Sequence, residues 1–173
     1  MQTLSQQLFE FCRGDAPDMY GRYLRDMWEW SDNKLEITHD YIQWMFPSTE
    51  RSYANPGSPF VADEDAPEFS SDERVKENLR RSLERILEFF GFGFTQSSGL
   101  AVAKTATYET RKKKWFWKRN HNFFRITRIL KSLNLCGLKA EAQAFFSCLD
   151  NLSDEEKSIV GSESFSFWRE AAA

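Results

Sequence analysis

The stretch His121–Leu133, HNFFRITRILKSL, constrains the fold more than any other part of the chain. Phe123, Ile126, Ile129, Leu130 and Leu133 recur at helical spacing, which places them on one face of a helix. Asn120 or Asn122 stands where an N-cap is wanted, and Gly137 stands where such a helix ends. An amphipathic helix of this length is marginal alone and needs apolar partners to cover its face.

The rest of the chain supplies those partners. Thr3 is placed to cap a first helix, with Leu4, Leu8, Phe11 and Cys12 at helical spacing and Gly14 beyond its end. A second helix is expected over Tyr20–Trp30. A third is expected from Ser31 or Asp32 to Phe46, stopped by Pro47 because a residue before proline is driven out of the helical region. A fourth, over Ser71–Phe90, carries Val75, Leu79, Leu83, Ile86 and Phe90 on one stripe, with Gly91 after it. Residues 48–71 read as a long irregular loop holding Pro56, Pro59 and Pro67.

The alternation of Phe92 and Phe94, with a Ser-Ser-Gly turn beyond, predicts a short hairpin within residues 92–104. The run 105–119 fits either a short helix or extended chain. After the central helix come Leu138–Leu149, a short helix opened by the capping box of Ser153 and Glu156, and a last turn or two over Ser164–Ala172. No βαβ series is present. The expected class is therefore all-α: an irregular orthogonal bundle of about six to eight helices in a single domain over 1–173.

Hydrophobic residues at 41% and aromatics at 16% are enough for a core without a metal or a staple. The three cysteines, Cys12, Cys136 and Cys148, form no CxxC pair. The N-terminal stretch has no basic, apolar leader pattern. Together these features predict a soluble chain in a reducing, intracellular compartment. No run of apolar residues is long enough for a membrane span.

Charge is unevenly spread. Lys104–Lys131 holds ten basic residues and one acid, against 13 basic and 25 acidic residues elsewhere. If the central stretch is helical, His121, Arg125, Arg128 and Ser132 form a polar stripe beside the apolar one, with Asn122 at the helix start. Two guanidiniums and a helix N-terminus suit a carboxylate or phosphate. The blander reading is that the arginines pair with acids of neighbouring helices.

In the third helix Asp32, Glu36, His39 and Gln43 form a matching stripe, with Trp44 beside it as an aromatic wall. Here the blander reading is core packing. No HExxH, CxxC or GxSxG occurs, so no catalytic residue, metal or cofactor is expected and the chain reads as a non-enzyme.

The run Arg111, Lys112, Lys113, Lys114, Trp115, Phe116, Trp117, Lys118, Arg119 interleaves cations with rings. It reads as a nucleic-acid or anionic-membrane contact, or as a solvated face whose rings anchor it to the core.

Two stretches together carry a resemblance. HDYIQWMFP (39–47) and HNFFRITRILKSL (121–133), the latter followed by Leu135-Cys-Gly-Leu, resemble the conserved N-terminal region of the opioid growth factor receptor family. The Trp28–Leu35 lead-in, the Asn55-Pro56 loop and Phe89-Phe90-Gly91 are similar to it too. The likeness covers about residues 24–149 and leaves 150–173 as a helical extension.

The resemblance implies a receptor-like binding and signalling module. The family's animal member is described as a receptor for an enkephalin peptide, associated with the nucleus and nuclear envelope. Site residues are not implied by the resemblance and rest on the two stripes. They place a peptide or small anionic ligand in a groove between the third helix and the central one, at His39, Gln43, Trp44, His121, Asn122, Arg125 and Arg128.

Overall fold

A computed structural model describes residues 2–95 and 99–173. It is mostly helical, with eleven α-helices and one two-stranded hairpin among the described residues. They are α1 (Leu4–Arg13), α2 (Leu24–Trp28), α3 (Asp32–Ile37), α4 (Ile42–Met45), α5 (Ala66–Ser71), α6 (Glu73–Phe90), α7 (Tyr108–Arg111), α8 (Asn122–Leu135), α9 (Lys139–Asp150), α10 (Asp154–Val160) and α11 (Ser162–Ala172). A 3-10 turn, Lys112–Lys114, follows α7.

The chain forms two compact units. The first is 1–82 with 135–137, and the second is 83–134 with 138–173. Helix α6 begins in the first and ends in the second.

In the first unit α1 starts as its sequence predicts. Thr3 and Gln6 exchange side-chain and backbone hydrogen bonds in a capping box, and Gly14 ends the helix at φ 80°. Leu8, Phe11 and Cys12 are buried, and the Phe11 ring meets Trp44 edge-on at 5.3 Å. Helix α2 is half as long as its sequence suggests: Tyr20 lies in a turn and only Leu24–Trp28 is helical. Trp28 Nε1 donates to Ser82 Oγ at 2.9 Å.

The expected third helix is two short ones with a break between them. Ser31 caps α3 through Lys34 N, but Thr38 is extended at ψ 124°. His39 and Asp40 then serve long-range partners instead of a helical ladder. The His39 carbonyl accepts Asn55 Nδ2 at 2.7 Å, and Asp40 accepts Arg22 Nη1 at 2.8 Å. A β-branched residue at the break lowers the local cost of leaving the helix. Asp32, Glu36, His39 and Gln43 therefore do not form the single helical stripe that their spacing predicts.

In α6 Asp72, not Ser71, supplies the cap, accepting from Val75 N at 2.9 Å. Val75, Leu79, Leu83, Ile86 and Phe90 are all buried as their spacing requires. Each contributes on the order of 1.5–3 kcal/mol relative to exposure.

In the second unit the hairpin pairs β1 (Phe92–Phe94) with β2 (Val102–Lys104), antiparallel, Phe92 opposite Lys104. Of its predicted turn, Ser97 and Ser98 lie outside the described residues. Helix α9 packs against β2 and α11, and α10 against α11. A chain of edge-on rings fills the interior: Phe90–Trp115 at 4.7 Å, Phe116–Phe123 at 6.1 Å and Phe123–Trp168 at 5.8 Å. The indoles of Trp115 and Trp168 satisfy themselves on the carbonyls of Phe90 and Phe123.

Candidate functional site

The first unit presents an open cleft of about 190 Å³. It is lined by Met19, Tyr20, Asp40, Trp44 and the run Asn55–Ser58.

One wall is a turn built by Asp18. This buried carboxylate accepts the N–H groups of Tyr20 and Arg22 through Oδ1, each at 2.9 Å, and Arg22 Nε through Oδ2 at 2.6 Å. Gly21, at φ 77°, lets the chain reverse. Met19 and Tyr20 are thereby held out at the tip, each 58% exposed.

Arg22 links this turn to the break between α3 and α4. Its guanidinium spans Asp18 and Asp40 and lies over the rings of Tyr20 (4.7 Å) and Trp30 (5.6 Å). Burial alone would lower the Arg22 pKa, but the hydrogen bonds to Asp40 and Asp18 raise it. The opposite wall is the turn Asn55-Pro56-Gly57-Ser58, closed by Ser58 N to the Asn55 carbonyl at 2.9 Å and tied to His39. Trp44, 1% exposed, is the floor.

Of the predicted site residues, His39, Gln43 and Trp44 fall in the first unit. Trp44 reaches the cleft, His39 does not line it but its carbonyl anchors Asn55 of the far wall, and Gln43 is buried with Nε2 on Ser52 Oγ at 3.3 Å. His121, Asn122, Arg125 and Arg128 fall in the second unit. There Asn122 and Arg125 are interior residues, and Arg125 Nη1 donates to Asn122 Oδ1 at 3.2 Å. The His121 carbonyl accepts Arg125 N, and its ring is half-buried.

The basic stretch divides. Arg111 pairs with Glu88, Lys112 pairs with Glu109 and Glu156, and Trp115 is fully buried. Lys113, Lys114, Trp117, Lys118 and Arg119 are exposed.

Sequence spacing showed one role of Glu156, its capping box, and missed the others. Glu156 caps α10 through Ser153 N, as its capping box predicts. It also accepts Tyr108 Oη at 2.7 Å, Lys104 Nζ at 2.8 Å and Lys112 Nζ at 3.2 Å. Burial would raise its pKa, but bonds from Lys104, the Ser153 backbone, Tyr108 and Lys112 bring it down to about 2. Burial, with Glu156 beside it, pushes the Tyr108 phenol the other way, well above its usual value. Every group here is engaged by another group of the same unit, so the cluster reads as a structural clasp. No group of three or more His, Cys, Asp or Glu is placed to hold a metal among the described residues. No helix among them is long and apolar enough to cross a membrane.

The first unit thus carries an open cleft edged by the Asp40 carboxylate and lined by the rings of Tyr20 and Trp44. Residues 14–171 match the opioid growth factor receptor (OGFr) conserved region, and the chain belongs to that family. It is 34% identical to the human opioid growth factor receptor over 142 residues, 74% of this chain and 21% of that protein. It is 38% identical to the rat opioid growth factor receptor over 115 residues (64% and 19%). With the mouse opioid growth factor receptor-like protein 1 it shares 36% over 129 residues (72% and 26%). The chain thus matches only about a fifth to a quarter of the length of these relatives. No solved structure matches it.

Proposed function

We propose that the chain is a non-enzymatic, receptor-like binding module whose first unit holds part of a short peptide in the cleft between the Met19–Tyr20 turn and the Asn55–Ser58 turn. Its family's relatives carry the word receptor in their names. The observation that carries the reading is the pairing of two exposed apolar side chains, Met19 and Tyr20, with the Asp40 carboxylate in one cleft. At about 190 Å³ the cleft is smaller than the ~300–1,000 Å³ of ordinary small-molecule sites. It therefore takes one ring or a chain end of a longer ligand.

Asp18 and Asp40 together exceed the charge of Arg22 by one, and the first unit carries nine Lys and Arg against sixteen Asp and Glu. Such a site favours a cationic chain end, an N-terminal ammonium, with an aromatic side chain against Tyr20. This differs from the anionic ligand expected from Arg125 and Arg128, because the Arg125 guanidinium is already interior and bonded to Asn122. The stretch 111–119 supports nucleic-acid stacking poorly, since Trp115 is buried and Arg111 and Lys112 are ion-paired.

The test is fluorescence anisotropy with the peptide Tyr-Gly-Gly-Phe-Met labelled at its C-terminus. Saturable binding is expected, weakened about tenfold or more by N-acetylation of the peptide or by Tyr20→Ala. Absence of saturation, or binding indifferent to both changes, would sink the reading.

A further inference from the structure

The loop before α8 separates its rings into two populations. Trp115 is buried against Phe90 and Phe92, and Phe116 is wedged between Trp115 and Phe123. Trp117 instead stands 49% exposed, and Phe124, in the first turn of α8, is 73% exposed. Two consecutive tight turns carry the chain between them: Asn120 N to the Trp117 carbonyl at 3.2 Å, then Phe123 N to the Asn120 carbonyl at 3.1 Å. Both rings are thus exposed on one turn-rich segment of the second unit, 117–124.

Cations share that segment and the 3-10 turn before it. Lys113, Lys114, Lys118 and Arg119 are all exposed, and none has a carboxylate partner among the described residues. The chain holds no acid between Glu109 and Glu141. Arg119 sits at φ 60°, a left-handed conformation costly for a side-chain-bearing residue. It is tolerated because the loop is fixed on both sides by buried rings. The result is an exposed turn, Trp117-Lys118-Arg119, held at both ends.

Exposed Trp and Phe side chains in water are unfavourable, and a fold that fixes them outward beside four cations has them placed for a partner. A single strand of nucleic acid is usually tracked by a basic groove with its rings inside. An exposed turn that carries an indole among cations, with a largely exposed phenyl on the helix that follows, fits a flat anionic interface better.

We propose that Trp117 and Phe124, with Lys113, Lys114, Lys118 and Arg119, form a peripheral docking surface for bilayers of anionic phospholipid. The rings enter the headgroup region while the cations meet lipid phosphates and carboxylates. The site lies wholly within the second unit and is independent of the peptide cleft.

The experiment is vesicle co-sedimentation with the full chain. Vesicles of phosphatidylcholine containing about a third phosphatidylserine should bind, pure phosphatidylcholine should not, and binding should weaken as salt rises. Lys118→Glu/Arg119→Glu should weaken binding by at least about thirtyfold, since each cation near such a surface is worth roughly fivefold. Trp117→Ala/Phe124→Ala should abolish it while leaving the thermal transition unchanged. The conservative Lys118→Arg should bind normally. Binding equal on neutral and anionic vesicles, no binding at low salt, or a single-stranded oligonucleotide that binds through these residues while vesicles do not would each overturn the proposal.

Discussion

Tyr108 and Glu156 share a hydrogen bond of 2.7 Å across 48 positions of sequence, and the same carboxylate also starts α10. The bond joins the helix after the hairpin to the helix near the end of the chain. Lys104 and Lys112 close on it from either side, each also facing the Tyr108 ring at 4.4 and 5.2 Å.

Glu156→Gln should therefore destabilise the second unit far more than the loss of a cap. Glutamine keeps the reach to Ser153 N, but it leaves Lys104 without the counter-charge of Glu156 and Lys112 with only the exposed Glu109. Breaking a buried pair from one side costs roughly 3–5 kcal/mol, toward the low end here because Lys104 is partly exposed. Urea unfolding of the variant at neutral pH measures it.

Acid should act through the same residue. Its folded pKa of about 2 lies below the ordinary 4.5, so ionised Glu156 favours the folded state. That contribution, on the order of 3 kcal/mol, is present above about pH 4.5 and disappears as pH falls toward 2. Thermal melting of wild type and Glu156→Gln across this window should show the gap between them closing.

Gly91 and Gly21 make a matched pair of glycine tests. Both have positive φ, 89° and 77°. A Cβ on Gly91 would lie 2.6 Å from Tyr108 Cα, whereas one on Gly21 meets nothing within 4 Å. Gly21→Ala should cost about 1–2 kcal/mol from left-handed strain alone. Gly91→Ala adds a backbone clash and should cost clearly more. Equal losses in denaturant titration would contradict the packing described for the hairpin.

The three thiols should be inert in the folded chain. Burial raises the pKa of Cys12 far above its usual value, of Cys136 to about 12 and of Cys148 to about 11. Reaction with a disulfide reagent at pH 8 should wait for unfolding. Rapid modification of any of them in buffer would show that its side chain opens to solvent.

Asp18→Ala should loosen the cleft of the first unit without disturbing the second unit. It removes the acceptor of two backbone N–H groups and half of the Arg22 ion pairing. The cost should be about 2–4 kcal/mol. Faster protease cleavage near Tyr20 is the diagnostic.

Features set by near neighbours in sequence were readable from it. The cap at Thr3, the stripe of α6, the apolar face of α8 and the box of Ser153 and Glu156 all depend on residues three or four apart. The break at Thr38–Tyr41 was not readable. Helical periodicity continues through it, and the groups that interrupt it, Asn55 and Arg22, lie far along the chain. The same holds for the cleft, whose walls come from segments near positions 20, 40 and 57. Nor does spacing show that Asn122 and Arg125 lie in the interior of their unit, where Arg125 donates to Asn122.

Glu156 illustrates a wider point about substitution. As a helix starter it tolerates glutamine, and as the counter-ion of two lysines it tolerates only another acid. Two structural tasks, starting a helix and countering lysine charge, fall here to one side chain. Any change at this position, or at Lys104, Lys112 or Ser153, is then judged twice over, and a replacement that is conservative for one task is radical for the other.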